Sequence, residues 1–193
     1  DNDNKLLTKK NIYKFICNID YLLKIIAVTY TGKIINIDWQ KSISNDYKLE
    51  KNLLNDLNPY EIINFHNINH ELENYLCVLC EDGRFKKVLF DNEMMKTNRI
   101  FSIIKTKKEN KIINSFITDQ ESSLIVITSI GRLFKYNLSN KYIPVVSKQA
   151  QGNILNKLLP GEKIISCCKC KDNDNLVIIT MKGRFYNIKE HEI

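Results

Sequence analysis

Four glycine–cation pairs in this chain recur at near-constant spacing: Gly32-Lys33, Gly83-Arg84, Gly131-Arg132 and Gly183-Arg184. Their glycines lie 51, 48 and 52 residues apart and are four of the six in the sequence. A cation held at one place in each of several like units can neutralise a regular row of anions, and a nucleic-acid backbone is such a row. Further cations flank the pairs at Lys86, Lys87, Lys135 and Lys182, and Lys148 lies in the connection between the third and fourth. The candidate binding set is therefore Lys33, Arg84, Lys86, Lys87, Arg132, Lys135, Lys148, Lys182 and Arg184. Lys41, Lys96, Arg99, Lys105, Lys107, Lys108 and Lys141 add to the pool in the connections.

The charge balance agrees. The 193 residues carry 29 Lys+Arg against 22 Asp+Glu, a formal charge of +7 and a pI near 9.0. That excess points to a polyanionic partner, nucleic acid before an acidic membrane surface. No stretch reaches the ~20 apolar residues of a membrane-spanning helix, so no membrane partner is expected. The opening "DNDNKLLTKK" has no apolar core of a signal peptide and reads as a cut from a longer polypeptide. Only four of the basic residues are Arg, and Lys, Asn and Ile abound. These residues use A/T-rich codons, so part of the lysine content reflects nucleotide bias.

Other chemistry finds little support. His66, His70 and His191 are scattered, and "HNINH" lacks the glutamate of a His-Glu-x-x-His metal helix. No phosphate-cradling glycine loop and no nucleophile–base arrangement is visible. The six cysteines, at 17, 77, 80, 167, 168 and 170, do not read as a disulfide scaffold. "CVLC" has the spacing of a zinc knuckle but sits in an apolar, strand-like run, where Cys77 and Cys80 point to opposite faces. Catalytic residues, metal and cofactor are all expected to be absent.

The elements that would position the cations are β-hairpins. Each glycine follows an apolar run: Ile25–Val28, Leu76–Leu79, Leu124–Ile127 and Leu176–Ile179. Apolar residues recur two places after it (Ile34, Phe85, Leu133, Phe185) and five places after it (Ile37, Val88, Tyr136, Ile188). Run, two-residue glycine turn and second run predict a hairpin. The first arm is apolar on both faces and should be buried between neighbours; the second mixes in charge and should lie further out. A further strand is predicted ahead of each hairpin in "KFICNI", "EIINFHNI", "KIINSFIT" and "KIISCCKC". The Leu53–Leu57 region is read as strand-and-loop connection. The units run approximately 12–58, 59–108, 109–160 and 161–193 within a single domain, 1–193. About 50 residues with three or four strands is the size of one blade in a radial β architecture.

The stretch 130–167, "IGRLFKYNLSNKYIPVVSKQAQGNILNKLLPGEKIISC", resembles the blade-to-blade pattern of the C-terminal domain of the bacterial DNA gyrase A protein. The residues that carry it are Thr128, Gly131, Arg132, Phe134, Ile143, Pro144, Gly152, Leu158, Leu159, Gly161, Glu162, Lys163 and Ile164; "TMKGRFYNIKEHEI" (180–193) repeats the opening. The topoisomerase IV C-terminal domain is similar. The resemblance implies an all-β fold, a β-pinwheel, with about four blade repeats visible here. It implies a non-catalytic domain that binds and bends duplex DNA on a basic outer rim and presents it for strand passage. The parent would be an ATP-dependent type IIA topoisomerase, and its partners would be the remainder of gyrase A and the gyrase B subunit. The family's Gln-Arg-Arg-Gly-Gly-Lys-Gly box is missing, and "SKQAQGN" (147–153) is its nearest analogue, so binding is expected without tight wrapping. A basic propeller-like platform for protein partners is the other class the residues allow. A/T-rich coding and a gyrase-like domain together suggest a plastid, such as the apicoplast of a parasite, and otherwise a bacterial cytoplasm.

Overall fold

The computed structural model describes residues 24–37, 59–68, 75–91, 94, 96, 99–105, 110–118 and 121–193. Thirteen strands occupy them: β1 Lys24–Thr29, β2 Lys33–Ile37, β3 Ile62–Ile68, β4 Tyr75–Cys80, β5 Arg84–Leu89, β6 Ile100–Ser102, β7 Ile112–Thr118, β8 Ser123–Thr128, β9 Leu133–Asn137, β10 Asn153–Ile154, β11 Ile164–Cys170, β12 Asn175–Ile179 and β13 Phe185–Lys189. Two 3-10 turns, Pro59–Glu61 and Glu190–Glu192, are the helical content among the described residues. The expected strand at "KFICNI", the Leu53–Leu57 region, Cys17 and His70 lie outside them.

The four predicted hairpins are present as β1–β2, β4–β5, β8–β9 and β12–β13. Their turns are one residue longer than expected. The glycine N–H donates to the carbonyl three residues back, Gly32 to Thr29, Gly83 to Cys80, Gly131 to Thr128 and Gly183 to Thr180, at 2.9–3.1 Å. The glycine then takes a positive φ of 74–89°, which is the bulged three-residue hairpin loop. A side chain is disfavoured at such a φ.

The strands do not pair within their own repeats alone. The first sheet has the order β3-β1-β2-β6, the second β10-β5-β4-β7, the third β11-β8-β9 and the fourth β12-β13. Each strand ahead of a hairpin thus joins the preceding hairpin, and the connection after a hairpin adds a short strand, β6 or β10, to the preceding sheet. The incoming strand carries a bulge at the same place each time: Ile63, Ile113 and Ile165 each lack a partner in the register. Beyond the bulge, polar side chains link these strands in series. Asn64 Nδ2 donates to Asn114 Oδ1 at 2.8 Å, and Asn114 Nδ2 to the Cys167 carbonyl at 3.3 Å. His66 Nε2 lies 2.8 Å from Ser115 Oγ. Burial, with a contribution from the Lys169 charge, pushes the His66 pKa down to about 4 and keeps the ring neutral.

Residues on alternate faces of each hairpin fill the spaces between sheets. Ile26, Val28 and Ile34 of the first sheet meet Leu76, Val78 and Val88 of the second. Cys77, Leu79 and Phe85 of the second meet Leu124 and Val126 of the third. Each such fully buried side chain contributes about 1.5–3 kcal/mol. The second arms β2 and β5 are buried, against the expectation that they lie outward. The cause is that β6 and β10 pair along their outer edges, so neither arm is the edge strand of its sheet, while neighbouring elements pack on their faces. Among the described residues the fourth sheet has two strands, and its residues equivalent to Ile26, Val28 and Ile34 are exposed: Val177 63%, Ile179 68% and Phe185 70%.

Gly152 and Gly183 separate two reasons for glycine. Both have positive φ, 78° and 74°, but a Cβ on Gly152 would lie 2.5 Å from the Phe85 carbonyl oxygen, whereas one on Gly183 would meet nothing within 4 Å. Gly183→Ala should cost about 1–2 kcal/mol from backbone strain alone. Gly152→Ala should cost clearly more, because β10 must move off β5. Urea unfolding of both variants checks this; equal losses would contradict the account.

Candidate nucleic-acid interface

The hairpin turns that carry the cations are fixed in equivalent frames. The residue after the first arm donates its N–H to the residue just before or at the start of the next incoming strand: Tyr30 to Glu61 O, Glu81 to Lys111 O and Ser129 to Lys163 O, at 2.8–2.9 Å. Two of these turn residues also accept from the strand one repeat further on, Tyr30 O from Ile112 N and Glu81 O from Ile164 N. The turns are therefore tied across repeats, and Lys33, Arg84 and Arg132 leave them at matching positions. Arg184 follows the same kind of turn on the fourth hairpin, where Thr180 Oγ1 accepts from the Arg184 N–H at 3.2 Å as Thr128 Oγ1 does from Arg132.

The structure divides the nine candidates sharply. Lys86 and Lys87 are each 1% exposed, so burial removes both ammonium groups from any phosphate. They are corrected from surface ligands to interior groups. Adjacent residues of β5 point to opposite faces, and in a doubly covered strand both faces are interior. The Arg132 guanidinium is held bidentate by the carboxylate of Glu162, with Nε donating to Oε1 at 2.8 Å, and it stacks 4.9 Å from the centroid of Phe134. Lys135 pairs with Glu190 at 2.8 Å, and Lys148 with Asp91 at 2.6 Å. Arg84 has a looser contact, 3.7 Å from Asp82. Lys182 and Arg184 are exposed, and no carboxylate pairs with either among the described residues. The missed signal was the partner: Glu162 stands among the residues that carry the resemblance, but nothing in "PGEK" shows that it meets Arg132.

The cysteines fall as the strand reading required. Cys77 packs between the second and third sheets and Cys80 between the first and second. Burial pushes both thiols up to about 12, which disfavours the thiolate that zinc binding or nucleophilic attack needs.

No family model matches the chain. Over 185 residues it is 26% identical to the DNA topoisomerase 4 A protein of Mycoplasma pneumoniae, a match covering 91% of this chain and 23% of that protein. Over 119 residues it is 30% identical to the DNA gyrase A protein of Clostridium acetobutylicum, covering 58% of this chain and 14% of that one. The crystal structure of a C-terminal domain of DNA topoisomerase IV superposes with a TM-score of 0.74 at 20% identity, covering 90% of this chain and 55% of that domain. The chain has the fold of that domain, a β-pinwheel. It spans less than a quarter of the length of either curated relative. Within this pinwheel the Thr-x-x-Gly-Arg and Gly-Glu-Lys-Ile segments are two halves of one contact, because Arg132 and Glu162 close the third turn against the incoming strand.

The hydrogen bonds from Arg132, with a further one from the Leu159 N–H, hold the Glu162 carboxyl down at about 2 from its ordinary 4.5. A carboxylate depressed in this way stabilises the fold fully above pH 4.5 and loses that contribution as pH falls through about 2. Glu162→Gln should lower Tm at neutral pH and flatten the Tm–pH curve in that window. Superimposable curves for the two proteins would show that the pair contributes nothing.

Proposed function

We propose that this pinwheel is a DNA-binding domain of a type IIA topoisomerase, non-catalytic in itself. It takes duplex DNA on the cations of its hairpin turns and presents it to the strand-passage core. The observation that supports the reading most is the set of cross-repeat bonds at Tyr30, Glu81 and Ser129, which hold successive cation-bearing turns in one repeated geometry. Cations repeated at a fixed interval suit phosphates, which repeat too, and read no base. Affinity then comes from counterion release, about 0.9 per phosphate contact in the slope of log K against log salt.

Within this reading the contacts are unequal. Lys182 and Arg184, both exposed, offer the most available charge, Lys33 and Arg84 are half-buried, and Arg132 serves mainly to fix the third turn. Bending a short duplex costs on the order of 1–6 kcal/mol, so several turns must engage together. The segment 147–153, at the place of the missing basic box, is committed to the protein. Lys148 O accepts from Lys86 Nζ at 2.5 Å, and Asn153 pairs with Phe85. That engagement favours bending over tight wrapping.

The double variant Lys182→Glu/Arg184→Glu should weaken binding to unrelated duplex sequences alike and reduce the salt slope by about 2. Fluorescence anisotropy across a salt series measures both. A folded double variant with unchanged affinity and slope would remove the fourth turn from the interface. Affinity insensitive to salt in the parent chain would remove the DNA reading itself.

A further inference from the structure

Lys86 and Lys87 call for a role other than phosphate binding. A buried ammonium is costly unless its donors are used, and here they are used on main chain. Lys86 Nζ donates to Ile103 O and to Lys148 O, both at 2.5 Å. Lys87 Nζ donates to Leu138 O and, at 2.7 Å, to Asn140 Oδ1, and it sits 4.7 Å above the Tyr75 ring. Leu138 and Asn140 begin the connection that leaves β9, and Lys148 lies near its end. Between them the Val146 N–H donates to the Lys87 carbonyl at 2.9 Å.

We propose that Lys86 and Lys87 are positioning residues that hold the 138–148 connection at both ends and so set where Lys141 and Lys148 meet phosphate. The phosphate half rests on the DNA reading above; the clamp does not. A second bond of the same kind supports the clamp. One repeat on, Lys135 Nζ donates to Glu190 O at 3.1 Å. Lys87 and Lys135 each stand four residues after their glycine, and Leu138 and Glu190 each stand seven after the next one. The second-arm lysine thus fixes the start of the following connection in both repeats. Lys86 is the addition peculiar to the second repeat, where Ile35, Phe134 and Tyr186 stand at the equivalent places. Through it the far end of the same connection is fixed as well. Burial lowers the Lys86 pKa to about 8, so at neutral pH the group is charged and both carbonyls keep a strong donor. The held segment presents Lys141 beside Tyr142, and Lys148 against Asp91 and the Phe101 ring.

The test uses the whole chain, a short mixed-sequence duplex and amide hydrogen exchange. Lys86→Met keeps the volume and removes the donors. Exchange should speed up at 146–150 and stay unchanged in β8. In the parent chain Lys148→Ala should lower the salt slope by about 1; in the Lys86→Met background it should lower it by nothing, since the side chain is no longer held at the DNA. A loss of stability alone would leave that second difference intact. Unchanged exchange at 138–150 in folded Lys86→Met, or an undiminished effect of Lys148→Ala in that background, overturns the proposal. No effect of Lys148→Ala in the parent chain overturns its claim on DNA, with exchange judging the clamp by itself. Should Lys86→Met not fold, Asn140→Ala, at an exposed residue, serves instead. Faster exchange confined to 138–143 supports the clamp, and unchanged exchange refutes it.

Discussion

Each of the first three sheets is completed by strands from the repeats that follow it, and everything else depends on that exchange. A lone hairpin with both faces apolar has no stable existence in water. Here β1–β2 gains β3 on one side and β6 on the other, and β4–β5 gains β7 and β10. The bulges at Ile63, Ile113 and Ile165 sit where each incoming strand meets the turn of the hairpin it joins. The first two turns are each bonded to two further repeats and the third to one, so their geometry is shared along the array. The cations beside the first three glycines inherit that regularity.

The same exchange decides which cations remain available. The connection that follows β9 runs along the second arm β5 and puts Lys86 and Lys87 inside, where main-chain carbonyls satisfy them. Bringing β11 to β8 gives Arg132 a carboxylate. The fourth hairpin has neither a covering strand nor a packed outer face among the described residues, and Lys182 and Arg184 stay exposed. Lysine in this chain is thus two materials: a long donor that reaches across interiors to hold connections, and a surface charge.

Much of the fold was legible because it is local. The four glycine turns, the first arms and the incoming strands follow from periodicity within about twenty residues of each glycine, and the opposite facing of Cys77 and Cys80 follows from strand geometry. The pairing partners were not legible, since nothing in "KIINSFIT" says that it joins the hairpin before it. The short strands β6 and β10 carry no alternation to find. For the site, residue types gave the glycine–cation register, but availability depends on tertiary partners such as Glu162, Glu190 and Asp91, and composition cannot show them.

Amine labelling separates the two kinds of lysine in one experiment. The chain is treated with a lysine-acylating reagent, free and bound to duplex DNA, and each site is quantified by mass spectrometry. Lys182 should label in the free protein and be protected by DNA, while Lys86 and Lys87 should stay unlabelled in both. Rapid labelling of Lys86 and Lys87 in the free protein, abolished by DNA, would contradict the account, since it would place on the binding surface the two ammonium groups that the exchanged strands enclose.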